Sequence, residues 1–231
     1  MPRPWQTIDN IETLEGRLEL RKRGEKDFLI TVGGRILMNS RTHRSETELG
    51  LVACGHLKKT MRSQVLIGGL GMGFTLKAVL SVLPKDAKVI VGELNPVVVE
   101  WCRGPLADLT DNSVADRRIA VEIGDVATLI KRYAADATLE KFDAVVLDLY
   151  SGPDSGNHKQ KDPLYGSTAI ETTRAALKPG GMFAVWGEDH DAGFEKRLKS
   201  AGFGVTCQRK GRGGPRHVVY LARRKTSPKR N

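Results

Sequence analysis

Four carboxylates, Glu93, Asp125, Asp148 and Glu188, each follow or close an apolar run, while an earlier run, Val65-Leu66-Ile67, opens into Gly68-Gly69-Leu70-Gly71-Met72-Gly73. Glycines without side chains let a backbone turn sharply and lie against a ligand. Glu93 follows Gly73 by 20 residues. That spacing suits a carboxylate at the tip of the next strand, accepting hydrogen bonds from both hydroxyls of a ribose. A tight strand-to-helix turn without a ligand is the plainer reading of a glycine string, and the acidic residue at the required offset favours the site.

Gly69, Gly71 and Gly73 alternate, which fits the G-x-G-x-G loop of S-adenosylmethionine enzymes better than the G-x-G-x-x-G of dinucleotide-binding dehydrogenases. A sulfonium nucleoside is therefore expected before a nicotinamide one. Asp125 is placed to accept the exocyclic amine of adenine, and it is equally suited to cap the helix that follows. Asp148 ends Ala144-Val145-Val146-Leu147. It would orient a nucleophilic amine or accept its proton, with a structural cap as the alternative. The polar stretch from Tyr150 to Asp162 reads as a lid over the site. Within it His158 is either a base or a solvated loop residue.

These residues need strands and helices to hold them. Strands are predicted at 65–69, 88–93, 119–124, 143–148 and 181–187, with helices at 74–83, 96–103, 126–134, 165–177 and 191–201. Asn95-Pro96 is expected to start the second helix as cap and first-turn proline. Lys178-Pro179-Gly180-Gly181 is expected to end the fourth. Two runs, 204–208 and 217–221, are joined so closely that they must be antiparallel. The fold class is α/β: a methyltransferase-type Rossmann-like sheet, mostly parallel with a C-terminal antiparallel hairpin, preceded by a small N-terminal β unit. That unit is read from residues 11–40, with Gly33-Gly34 as its hairpin turn. Ser45-Glu46-Thr47-Glu48 matches the capping box S-x-x-E, starting a helix that runs to about Lys58. The expected division is 1–44 for the β unit, 45–224 for the nucleoside-binding α/β domain and 225–231 for a basic tail.

The chain has 231 residues, 40% hydrophobic and 28% charged, ordinary values for a globular protein with a substantial core. No apolar run is long enough to cross a bilayer, and Met1-Pro2-Arg3-Pro4-Trp5 lacks a signal-peptide core, so a cytoplasmic location is expected. Cys54, Cys102 and Cys207 are isolated, which indicates neither disulfides nor a zinc site. The net charge of +10 concentrates at the C-terminal end, where residues 209–231 hold nine basic residues and no acidic ones. Such a region could bind nucleic acid by neutralising phosphates, or could be a solvated edge.

In order and spacing these segments resemble the spermidine synthase family from about Phe28 to Glu188. Ile30-Thr31-Val32-Gly33-Gly34-Arg35-Ile36-Leu37-Met38 resembles that family's strand-turn-strand approach to its substrate gate, and Gly68 to Gly73 its glycine loop. Val91-Gly92-Glu93-Leu94-Asn95-Pro96-Val97-Val98 is similar to its ribose-binding E-x-D-P segment, and Gly124-Asp125 to its adenine-side G-D. Asp148 matches the first Asp of its D-x-x-D motif, while Leu164-Tyr165, the 176–181 turn and Gly187-Glu188 resemble the segments that follow. Three positions depart from the pattern. Ser151 stands for the second Asp, Leu70 or Met72 for an acidic residue of the glycine loop, and no aromatic occupies Ser45-Glu46-Thr47-Glu48.

The resemblance implies a transferase that binds S-adenosylmethionine or its decarboxylated form and moves an aminopropyl or methyl group to a small-molecule amine; a homodimer is compatible with it. In that reading Gly69, Gly71, Gly73, Glu93 and Asp125 bind the nucleoside, Asp148 and Tyr150 are catalytic, Glu188 and Ser151 wall the acceptor pocket, and no metal is needed. The alternative is a catalytically degenerate nucleoside-binding homologue that uses its basic surface on nucleic acid. A nicotinamide-dependent oxidoreductase is the third class.

Overall fold

Apolar runs separated by glycine and proline breaks build two sheets in the computed structural model, which describes residues 3–150, 152–153, 162–209 and 217–226. Strands β1 (Gln6–Thr13), β2 (Gly16–Arg23), β3 (Asp27–Val32) and β4 (Arg35–Asn39) form an antiparallel meander. Gly33 and Gly34 both have positive φ, +52° and +78°, as the tight β3–β4 turn demands. β1 is absent from the sequence expectation. All its residues but the last are exposed, so no alternating burial leaves a period-two pattern, and only its backbone pairing to β2 makes it a strand.

Helix α1 (Arg44–Cys54) follows, continued by a 3-10 turn at Gly55–Leu57. The capping box expected at Ser45–Glu48 is not formed. The N-cap is His43, two residues before Ser45, so Ser45 already lies in the first turn and its hydroxyl bonds the neighbouring Glu46 carboxylate at 2.6 Å.

The second sheet holds β5 (Gln64–Gly68), β6 (Lys88–Glu93), β7 (Ile119–Ile123), β8 (Phe142–Leu147), β9 (Leu177–Gly187), β10 (Phe203–Arg209) and β11 (Val218–Arg224). Their order is β10-β11-β9-β8-β5-β6-β7. Pairings among β5 to β9 are parallel and β11 alone runs against its neighbours. Helices α2 (Phe74–Val82), α3 (Pro96–Arg103), α4 (Val126–Ala135), α5 (Ser167–Ala176) and α6 (Ala192–Ser200) make the connections. This is the α/β sheet with antiparallel C-terminal hairpin expected from the sequence. One boundary differs: Lys178-Pro179-Gly180-Gly181 lies inside β9, after α5 has ended. The register against β8 shifts between Phe142 and Ala144, and that irregularity accommodates a proline that cannot donate to the ladder.

Alternation along the central strands sends side chains to two cores. Val65, Ile67, Val89, Val91, Val146 and Ala184 pack beneath α1, α2 and α3, and this cluster continues into Leu18, Leu20, Phe28, Ile30 and Val32 of the N-terminal sheet. Leu66, Ile90, Val145, Leu147, Phe183 and Val185 face α4, α5 and α6. Each fully buried aliphatic side chain contributes about 1.5–3 kcal/mol. Trp101 of α3 is buried, and its indole N–H reaches back to Asp9 of β1 at 2.7 Å, a further tie between the sheets. No helix among the described residues is long and apolar enough to cross a membrane.

The chain leaves β5 toward β6 and β7, then returns to place β8 on the other side. Where strand order reverses in this way, a crevice opens beyond the carboxyl ends of the strands.

Candidate active site

That crevice is a cleft of about 1270 Å³. Its floor is the glycine loop between β5 and α2, where Gly69, Gly71 and Gly73 have φ of +86°, +53° and +83°. A side chain at Gly69 would place its Cβ 2.5 Å from the Asp148 carbonyl oxygen, so the bare backbone there is a packing requirement as well as a conformational one. Cys102 of α3 braces the loop from beneath, its thiol donating to the Gly71 carbonyl at 3.2 Å. Burial pushes that thiol up to about 12, which keeps it a neutral donor.

Glu93 ends β6 and turns toward this loop. One carboxylate oxygen accepts from the Leu70 N–H at 2.9 Å and the other from the Asn95 N–H at 2.9 Å. The side chain is buried, with only 7% of the residue exposed, yet it lines the cleft. A buried carboxylate is tolerated when charge-assisted hydrogen bonds hold it, and each oxygen retains acceptor capacity for a ligand. Asn95 caps α3 without a side-chain bond and Pro96 occupies the first turn, so Glu93 also fixes the start of that helix.

Asp125 caps α4, accepting from the Ala127 N–H at 2.8 Å, and is exposed on the cleft wall. The capping alternative raised by the sequence is thus realised, and the cleft position is realised with it. Leu94, 60% exposed between Glu93 and Asn95, adds an apolar surface that no spacing argument singled out.

Across the loop, Asp148 follows β8, its N–H bonded to the Gly68 carbonyl at 2.9 Å. Its half-buried carboxylate accepts from the buried Thr75 hydroxyl at 2.5 Å. Burial foremost, and then the negative charge of Glu46, raise Asp148 to about 7, with the Thr75 hydrogen bond pulling the other way. A carboxyl poised near neutrality is suited to exchange a proton with an amine. The Thr75 oxygen also lies 3.1 Å from the Glu46 carbonyl, bringing α2 against the first turn of α1.

The remaining wall comes from parts of the chain distant in sequence from the glycine loop. His43 stacks on Phe74 with ring centroids 4.1 Å apart. Arg35 of β4 lies 5.9 Å over the ring of Tyr150, which is itself 49% exposed at the cleft edge. Glu46, Glu48, Trp186, Glu188 and His217 complete this side. The structure thus gathers Gly69, Gly71, Glu93, Asp125, Asp148, Tyr150 and Glu188 at one cleft. Gly73 caps α2 just behind it. Ser151 and His158 lie outside the described residues. Among the residues the sequence missed are His43 at the start of α1, Trp186 of β9 and His217 just before β11, brought to the cleft only by packing.

Away from the cleft, His190, Glu195 and Cys207 bring donor atoms within 4.8 Å of one another. Glu195 there is already engaged by His190 and Lys199, and these hydrogen bonds hold it down at about 2.

Comparison with known proteins bears on this geometry. A profile of the spermine/spermidine synthase domain matches residues 46–193. Polyamine aminopropyltransferases of Mycobacterium tuberculosis and Mycobacterium bovis are 31% identical over 124 residues, 54% of this chain. That stretch is 22% of their length, so the chain matches about a fifth of these relatives. A crystal structure of spermidine synthase in complex with the transition-state analogue AdoDATO superimposes with a TM-score of 0.73 at 18% identity, covering 99% of this chain and 82% of that one. Spermidine synthase from Thermotoga maritima gives 0.71 at 18%, covering 99% and 83%. Human methyltransferase-like protein 13 in complex with SAH gives 0.58 at 19%, covering 80% and 81%. At these identities the structural likeness is one of fold.

Proposed function

Because the chain belongs to the spermine/spermidine synthase domain family, we propose that its cleft binds decarboxylated S-adenosylmethionine and transfers the aminopropyl group to a small-molecule amine. The observation that carries this reading is the buried Glu93 carboxylate facing the Gly69–Gly73 bend, with Asp148 opposite.

In this reading the backbone of Gly69, Gly71 and Gly73 lies against the nucleoside, and Glu93 accepts hydrogen bonds from both ribose hydroxyls. Asp125 accepts the adenine amine while Leu94 covers a face of the base. Asp148 orients the acceptor amine and takes its proton as the nitrogen attacks the carbon next to the sulfonium. The thioether leaves as a neutral group, so the protein has little bond-making to assist. Its work is alignment and exclusion of water. Tyr150, Glu188 and Ser151 belong to the acceptor side, and residues 1–44 form the unit that brings Arg35 and Met38 to the mouth.

Thermal-shift measurements with decarboxylated S-adenosylmethionine, S-adenosylmethionine, methylthioadenosine and NADH test the proposal. A ligand at 100 times its dissociation constant adds about 2.7 kcal/mol. Stabilisation by the decarboxylated donor and by methylthioadenosine is expected; failure of every sulfur nucleoside would end the reading. Methyl transfer is the second reading. It is favoured by the apolar Leu70 and Met72, which leave the glycine loop without an acidic side chain to oppose a donor carboxylate, and it predicts tighter binding of S-adenosylmethionine.

A further inference from the structure

The acceptor side of the cleft contains two nitrogens without a hydrogen-bond partner among the described residues, Trp186 Nε1 and His217 Nδ1, both shielded from solvent. Both residues line the cleft, their rings 5.0 Å apart. Leu147 of β8 is opposite Val185 of β9, so the next residues on the two strands, Asp148 and Trp186, are neighbours. Trp186 also packs against the same apolar cluster as Val146, two residues before Asp148.

An indole N–H can only donate. A protonated diamine has no lone pair to offer it, so a purely cationic acceptor would leave this group as unsatisfied as it is now. An oxygen on the acceptor would satisfy it. Two cations stand ready for a charged oxygen group at the same mouth: Arg35, whose only described partner is the Tyr150 ring, and Arg44 in the first turn of α1, which pairs with no carboxylate among the described residues. Glu46 and Asp148 meanwhile present carboxylates to an amine.

We propose that the acceptor is an amine that also carries a carboxylate, an amino-acid-like zwitterion, with its oxygen end received by the Trp186 Nε1–H, and by His217 in the tautomer that holds its proton on Nδ1, in the cleft that Arg35 and Arg44 also line. This rests on the transferase reading above and specifies its second substrate.

The test is calorimetric titration of the protein saturated with methylthioadenosine, using pairs that differ only by a carboxylate: 2,4-diaminobutyrate against 1,3-diaminopropane, and ornithine against 1,4-diaminobutane. The diamino acid should bind about tenfold tighter or more, the worth of one buried donor regaining its partner. Trp186→Phe keeps the ring and removes the N–H, and should reduce the preference by about tenfold while methylthioadenosine binds as before. Arg44→Gln should reduce it independently. Equal affinities, preference for the diamines, or a preference that survives both substitutions would overturn the inference while leaving nucleoside binding intact. Failure of methylthioadenosine itself to bind would instead remove the functional reading, and this one with it.

Discussion

Replacing Glu93 with glutamine changes one oxygen into an NH2 and leaves the shape almost untouched. In the native protein both oxygens accept backbone N–H groups, from Leu70 and Asn95, at 2.9 Å each. The amide can accept only one of them, and its NH2 must confront the other donor at close range. A hydrogen bond to a charged group is worth about 1.5–3 kcal/mol, so the glycine loop and the start of α3 lose about that much. For a chain of this size the melting temperature should fall by about 3–12 °C. The ribose hydroxyls would lose a charged acceptor as well, a second loss of about 1.5–3 kcal/mol that corresponds to roughly 10–150-fold weaker nucleoside binding. Calorimetry with methylthioadenosine and a parallel thermal melt separate the two effects. A lowered melting temperature with affinity within about threefold of wild type would mean that Glu93 only braces the loop, and the assignment to ribose would be refuted.

The pH profile of kcat/KM offers a test in two directions. Asp148 accepts a proton only when ionised, so activity should rise as pH increases through about 7. Glu46→Gln removes a raising charge and should move that limb to lower pH, by the smaller part of the displacement because burial is the larger cause; Thr75→Val removes the hydrogen bond that favours the ionised form and should move it higher. Unmoved profiles in both variants would show that another group titrates. Gly69→Ala forces an L side chain into a left-handed conformation with its Cβ 2.5 Å from the Asp148 carbonyl oxygen, and should cost about 3 kcal/mol or more, a fall of about 6 °C or more in a thermal melt. Removing residues 225–231, with Lys225, Lys229 and Arg230, should leave turnover unchanged. If the nucleic-acid alternative held, the same deletion would flatten the salt dependence of RNA binding by up to about 2–3 in log–log slope.

The sequence alone determined the parts of this protein that depend on neighbours along the chain. Alternating apolar runs placed β5 to β9 and their helices to within a few residues, since a helix or central strand carries its period in its own composition. The alternating glycines and the 20-residue offset to Glu93 made the nucleoside side legible for the same reason: one turn and one crossover connect them. Tertiary structure decided the rest. β1 has no burial pattern and exists only through its pairing with β2. α1 starts at Arg44 whatever capping box Ser45 suggests. The proton affinity of Asp148 is set first by burial and then by Glu46 and Thr75, far from it in sequence, and the nitrogens of Trp186 and His217, without partners among the described residues, meet only because β9 and β11 lie side by side. Burial and electrostatic environment are properties of what packs around a group, and residue spacing carries no record of neighbours that distant strands and helices bring.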